Sequence, residues 1–81
     1  MLMEWVRFKL VCNEKLRKRV EGLLSDHGVG SYVSIINKVK HDEYETVRIS
    51  YECTVELGEF KKMRDEIKKM NMNVSIYYGL Y

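Results

Sequence analysis

Hydrophobic and polar residues alternate most regularly between Thr46 and Cys53. Every second residue of this stretch is apolar, and these positions are Val47, Ile49, Tyr51 and Cys53. The side chains between them are polar, and a period of two predicts a β-strand with one buried face and one open face. Residues 4–12 repeat the design, with Val6, Phe8, Leu10 and Cys12 on the apolar side. A sheet covered on one side only predicts a two-layer protein.

Apolar residues recur at helical spacing in two segments. The first helix has a suitable N-cap in Asn13, and Gly28 can adopt the left-handed conformation that ends it, with Val29 packing back on the last turn. The second helix is predicted to begin within residues 55–59 and to stop near Asn71. Its apolar stripe consists of Phe60, Met63, Ile67 and Met70.

Two further strands are predicted over residues 31–41 and 73–81. In the first of them, the residues assigned to the buried face are Val33, Ile35 and Val39. The residues assigned to its open face are Tyr32, Ser34, Ile36, Lys38 and Lys40. This choice of faces requires an odd-length loop over residues 42–44, so that Ile35 opposes Tyr51 in the next strand.

The resulting element order is βαββαβ, within a single domain over residues 1–81. Right-handed crossovers place both helices on one face of a four-stranded antiparallel sheet with the spatial order 4-1-3-2. The predicted fold class is therefore α+β, a two-layer ferredoxin-like sandwich. A core of this size is thin, because a domain of about 80 residues removes only about 60 to 65% of its unfolded surface from water.

Charge and composition narrow the classes of function. The 14 basic and 12 acidic residues give a net charge of +2, which argues against a dedicated polyanion binder. The N-terminus lacks the pattern of a signal peptide, and no apolar run reaches membrane-spanning length, so we expect a cytoplasmic protein with no membrane partner. Cys12 and Cys53 lack metal-ligand spacing. We expect reduced core thiols at opposite sheet edges, and no metal or cofactor.

The predicted open face of the sheet is the candidate interface. Aromatic residues on a face that the protein's own helices leave bare are typical of partner surfaces. The candidate residues are Trp5, Arg7, Lys9, Tyr32, Ile36, Arg48, Tyr77 and Tyr81. We expect self-association there, as a homodimer or larger assembly. Cross-strand aromatic pairs that only stabilise the sheet are the structural alternative.

In layout and length the chain resembles the ferredoxin-like regulatory modules of the ACT and PII types. The resemblance rests on the element order and on the helix ending Leu23-Leu24-Ser25-Asp26-His27-Gly28-Val29 followed by a strand. It implies association through sheets or sheet edges and a small-molecule effector bound between subunits. PII-type proteins carry a long loop between the second and third strands, where this chain has only a few residues around Asp42. That departure leaves no binding residues to carry over.

Two other classes of function compete with a regulatory module. Single-stranded nucleic acid could bind the open face through Trp5, Arg7, Lys9 and Arg48, but the third strand offers no outward aromatic residue. An enzyme is the third class. The glycine-rich residues 28–32 are similar to the phosphate loop of acylphosphatases, but they follow a helix and open a strand, so no helix N-terminus faces an anion. Neither His27 nor His41 has a catalytic partner in the sequence. We predict no catalytic residues.

Overall fold

The computed structural model describes residues 4–69 and 73–80, and its elements follow the predicted order. The strands are β1 (Trp5–Asn13), β2 (Val33–Lys40), β3 (Glu45–Glu56) and β4 (Val74–Leu80). The helices are α1 (Arg17–Asp26) and α2 (Leu57–Lys69), and a 3-10 turn over Glu14–Leu16 leads into α1. The antiparallel strands lie in the order β2-β3-β1-β4, which confirms the predicted topology. Three predicted positions, Met70, Asn71 and Tyr81, lie outside the described residues.

Both helices pack against the same face of the sheet, as predicted. The Phe8 ring of β1 lies 5.4 Å from the Phe60 ring of α2, and the hydroxyl of Tyr51 in β3 donates to Glu21 of α1 at 3.0 Å. Burial of these apolar side chains supplies most of the stabilising free energy. The largest fully buried side chains are Tyr51, Phe8, Phe60, Leu10, Leu24, Ile49 and Met63.

The first helix ends in the predicted way. Gly28 has a φ of 77°, and its N–H donates to the carbonyl of Ser25 at 3.1 Å. The N–H of Val29 donates to the carbonyl of Leu24 at 2.9 Å, and the Val29 side chain is buried. These two bonds are the Schellman pattern, in which a left-handed glycine turns the chain out of the helix. Asn13 does act as a cap, but its side chain accepts from Lys15 N–H at 3.0 Å and so caps the 3-10 turn rather than the helix.

Part of the β2–β3 hairpin projects beyond the rest of the sheet. Arg48 opposes Asn13, the last residue of β1, so residues 38–47 form a two-stranded ribbon with its loop. We call residues 38–47 the arm. The molecule measures 54 × 24 × 19 Å, and all eight residues of β2 are exposed. The side chains of the arm are exposed, except for Thr46 and Val47 of β3, which are half-buried.

The predicted register of this hairpin is wrong by one residue. Ile36 opposes Ile49, and Ile35 opposes Ser50 instead of Tyr51. The loop has four residues, His41 to Tyr44, closed by a 2.7 Å bond from His41 N–H to the Tyr44 carbonyl and by stacking of the two rings at 4.3 Å. Register is weakly specified by burial where neither face is covered, and a one-residue shift exchanges the two faces. The alternation of apolar residues in β2 therefore does not correspond to a buried face.

The two cysteines are free and buried, as expected. They lie closer together than the predicted opposite sheet edges, because β3 continues past Cys53 and Cys53 opposes Phe8. Cys12 lies four positions beyond Phe8 along β1, roughly 14 Å, which is outside disulfide reach. Burial raises the pKa of the Cys53 thiol to about 12 and also raises that of Cys12, so both thiols stay protonated and unreactive.

Candidate functional site

The open face of the sheet is the side opposite the helices. Five of the predicted interface residues lie there, namely Trp5, Arg7, Lys9, Arg48 and Tyr77. Tyr32 and Ile36 do not, because the register of β2 carries both to the helix side. Their places are taken by Val33, Ile35 and Val39, which were predicted to be buried. The correction makes the open face more aliphatic and removes one aromatic residue from it.

An apolar strip crosses the middle of this open face. Ser50 of β3 is flanked by Ile35 on one side and Val11 on the other. Although it belongs to the open face, Ser50 is only 5% exposed, because its larger neighbours cover it. At the next position of the same face, Lys9 opposes Glu52, so residues of opposite charge lie across from each other. The exposed apolar and aromatic residues of the face are Trp5, Val33, Ile35, Val39 and Tyr77.

A cleft of about 470 Å³ opens where β2 begins. Val33, the first residue of β2, opposes Glu52, so residues 53–56 of β3 continue with no β2 partner. The sheet therefore has a step at this edge, and the chain that enters β2 forms the other wall. The residues lining the cleft are Arg7, Ser31, Tyr32, Val33, Glu52, Cys53 and Thr54.

The side chains around the cleft combine one cation, small hydroxyls and an apolar wall. Arg7 opposes Thr54 across the β1–β3 pair, and Ser31 contributes a second hydroxyl from the opposite wall. Val33 and the ring of Tyr32 provide the apolar part. A guanidinium with neighbouring hydroxyls suits a carboxylate or phosphate group, and the apolar wall suits a flat ring. Glu52 adds a carboxylate that can accept from a ligand amine.

Tyr32 is held in the wall of the cleft by hydrogen bonds to Glu21. We call Glu21 and its three partners, Arg17, Tyr32 and Tyr51, the hub. The hydroxyls of Tyr32 and Tyr51 donate to the Glu21 carboxylate at 3.2 and 3.0 Å, and the Arg17 guanidinium donates to it at 2.9 Å. The two tyrosine rings also make a T-shaped contact with centroids 5.4 Å apart. Burial alone would raise the pKa of Glu21, but these three hydrogen bonds outweigh it and lower the pKa. The hub therefore contains an ionised carboxylate.

The start of the same connection is held by His27. Its Nδ1 lies 3.1 Å from Oε2 of Glu59, and its Nε2 lies 3.2 Å from Oε2 of Glu66. The first contact is a hydrogen bond, whereas the second is an ion-pair distance without hydrogen-bond geometry. The His27 side chain is only 8% exposed. The α1–β2 connection is thus fastened to α2 at residue 27 and to α1 at residue 32.

Sequence reasoning missed both the cleft and the hub. The cleft had no local signal, because it depends on β2 beginning at Val33, two residues later than predicted, which leaves the end of β3 unpaired. The hub had only one local signal, the spacing of Arg17 and Glu21. Its tyrosines lie 11 and 30 residues from Glu21, a separation that only the fold closes.

Neither a metal cluster nor a membrane-spanning helix is present in the described part of the chain. Residues 4–69 and 73–80 contain no group of three or more His, Cys, Asp or Glu side chains arranged to hold a metal ion. Within the same ranges, no helix has the length and apolar character needed to cross a bilayer. His41 stacks on Tyr44 at the exposed tip of the arm, remote in the fold from His27.

Comparison with known proteins gives a likeness in structure only. No family model and no curated protein sequence matches the chain. CPII from Thiomonas intermedia K12, a nitrogen regulatory PII-like protein bound to ADP, AMP and bicarbonate, superposes with a TM-score of 0.78 at 10% identity, over 96% of this chain and 90% of that one. The chain has the PII-like fold. The apo form of CPII superposes with a TM-score of 0.70 at 10% identity, over 96% and 91% of the two chains.

A second solved structure agrees with the first. A PII-like signalling protein from Thermus thermophilus superposes with a TM-score of 0.76 at 15% identity, over the whole of this chain and 90% of that one. The PII-like resemblance inferred from element order is therefore confirmed at the level of the fold. The short hairpin loop around Asp42 was the stated departure from that resemblance, and it corresponds to the four-residue turn of the arm.

Proposed function

We propose that this protein is a non-catalytic regulatory module that binds a small anionic effector in the cleft and associates with copies of itself through the open face. The observation that carries the effector proposal is the convergence of Arg7, Ser31, Thr54 and the Tyr32 ring on one step in the sheet. The likeness to CPII, whose ligands are ADP, AMP and bicarbonate, supports the same class of ligand. Our candidate effector is an adenine nucleotide.

Self-association is supported by what the open face exposes. Ile35 and Val33 are 45% and 58% exposed, and Trp5 and Tyr77 are 48% and 60% exposed. These residues lie on one face, where the uncharged row of Ile35, Ser50 and Val11 is bordered by charged residues such as Lys9, Glu52 and Arg48. An apolar centre with a polar border is typical of interfaces. A second copy is the partner that fits best, because a closed symmetric assembly would cover the apolar strip of every subunit.

Mass measurement with and without nucleotide tests both parts. Sedimentation and native mass spectrometry should give a multiple of the 9.7 kDa subunit mass over a wide range of protein concentrations. Titration with ADP, AMP and bicarbonate should perturb the fluorescence of Trp5, the single tryptophan, which lies two residues from Arg7 on the same strand face. A monomeric mass at every concentration would remove self-association, and no response to any of the three ligands would remove this effector class.

Replacing Arg7 with Gln tests the cleft directly. The substitution keeps hydrogen-bonding capacity but removes the cation, so the affinity for ADP should fall about tenfold or more, the effect of losing one charge-assisted contact. The matched control is Lys9→Gln, which removes a cation from the next position of the same strand face, outside the cleft. Calorimetric titration of both variants measures the difference. Equal affinities for Arg7→Gln and the unchanged protein would place the ligand elsewhere.

Nucleic-acid binding is disfavoured by the corrected register. The shift moves Tyr32 and Lys38 away from the open face and brings Val33 and Val39 onto it. A face with fewer aromatic and basic side chains offers less stacking and less phosphate contact.

A further inference from the structure

His27 lies between two acceptors, and this placement determines the charge of the ring. Its two nitrogens face Oε2 of Glu59 at 3.1 Å and Oε2 of Glu66 at 3.2 Å. A neutral imidazole carries one N–H, so its other nitrogen would present a lone pair to a carboxylate that can only accept. Only the imidazolium can donate to Glu59 and at the same time present a positive charge to Glu66, whose contact is an ion pair without hydrogen-bond geometry. Burial by itself would lower the pKa of His27, but the two carboxylates outweigh it and the pKa is raised.

The other charges around the ring do not compensate for a lost proton. On α2, Lys62 lies 3.5 Å from the second oxygen of Glu59, and Glu66 is half exposed. The N–H of Glu59 donates to the side chain of Glu56 from β3 at 3.3 Å. The chain neighbour of His27 on α1, Asp26, is also acidic. The carboxylates that contact the ring are those of Glu59 and Glu66, so deprotonation leaves a neutral ring between two acceptors.

The residues after this contact lead into the wall of the cleft. Gly28 leaves the helix with its φ of 77°, Val29 is buried, and Ser31 and Tyr32 then line the cleft. Two side-chain anchors hold this connection, the His27 contact with α2 and the Tyr32 contact with Glu21. Loss of the first anchor leaves the wall attached to its neighbours through the Tyr32 end and the Val29 side chain.

We propose that His27 is a proton-dependent anchor that locks the α1–β2 connection against α2 and so sets the order of the cleft wall. In its protonated state the ring joins both carboxylates of α2. When the proton leaves, one of the two contacts must break, and residues 28–32 loosen. The proposed effector would then bind better at slightly acid pH than at alkaline pH. This regulatory consequence rests on the proposed function, whereas the anchor itself does not.

Nuclear magnetic resonance of the imidazole tests the anchor without any ligand. We expect His27 to show both nitrogens protonated and to titrate at higher pH in the folded protein than in the urea-unfolded chain, with assignments made from His27→Gln and His41→Gln spectra. Amide exchange of residues 28–32, corrected for intrinsic pH dependence, should become up to roughly fivefold faster above the transition, the effect of losing one partly exposed ion pair. Titration at or below the unfolded-state midpoint would overturn the proposal.

Two surface variants keep the test decisive if His27→Gln fails to fold. Glu66→Gln removes one of the two charges and should lower the His27 midpoint and speed exchange of residues 28–32. Asp65→Asn is the matched control, since it removes the same charge from the adjacent exposed position, which contacts Arg64 rather than His27. Equal midpoints in both variants would overturn the anchor. If both variants behave as expected but ADP affinity does not follow pH, the anchor stands and its link to the effector is wrong.

Discussion

Ile35→Glu should convert the protein to folded monomers. Ile35 lies on the open face of the edge strand β2, beside Ser50, and a carboxylate there would be buried without a partner in an assembly that covers this part of the face. An uncompensated buried charge costs about 3 to 5 kcal/mol, which raises the dissociation constant at least about 100-fold. The isolated subunit should keep its fold, because Ile35 is already 45% exposed. Sedimentation measures the mass, and far-ultraviolet circular dichroism checks the fold.

The adjacent residue provides a matched control. Ile36 has the same side chain and is 52% exposed, but it opposes Ile49 and lies on the helix side of the sheet. Ile36→Glu should therefore leave the assembly intact. The reverse outcome, with Ile36→Glu monomeric and Ile35→Glu unchanged, would contradict both the register and the open-face interface. If both variants dissociate, the partner subunit contacts both faces of the β2–β3 hairpin, and the interface is larger than the open face.

Glu21→Ala should produce the largest loss of stability among exposed or half-exposed helix positions. The substitution leaves the hydroxyl of Tyr51, a residue only 1% exposed, without its acceptor, and an unsatisfied buried group costs about 1 to 3 kcal/mol. A loss of about 2 kcal/mol would lower the melting temperature by about 8 to 16 °C in a domain of this size. Urea unfolding at one fixed protein concentration measures the free energy, since assembly would otherwise change the midpoint.

A double-mutant cycle separates the hydrogen bond from other effects of the substitution. Tyr51→Phe combined with Glu21→Ala removes both partners, which is far less costly than leaving one of them unsatisfied. The double variant should therefore be more stable than Glu21→Ala alone. Glu14→Ala serves as the control, because Glu14 is an exposed acidic residue of the 3-10 turn. If Glu21→Ala changes stability no more than Glu14→Ala does, the hub contributes nothing measurable.

Much of the fold was predictable because local patterns and burial agreed. In β1 and β3 the alternation of apolar residues reports a real covered face, and Phe8 and Tyr51 lie where the period of two placed them. The end of α1 was equally local, since Gly28 and Val29 carry the whole Schellman pattern within six residues of the chain. In β2 the same kind of pattern led to a wrong assignment of the buried face. All eight residues of that strand are exposed, so its alternation does not reflect contact with the core.

The candidate site was less predictable than the fold because it depends on side chains brought together from distant segments. The His27 anchor joins positions 32 and 39 residues apart, and the cleft exists only because one strand ends before its neighbour. By itself the sequence determined the element order, the helix end and the covered face of the central strands, since these follow from short-range periodicity. The tertiary structure alone decided which face of the edge strand points outward, where the sheet steps, and which carboxylates surround His27. Those outcomes depend on loop geometry and on long-range contacts, which no local pattern encodes.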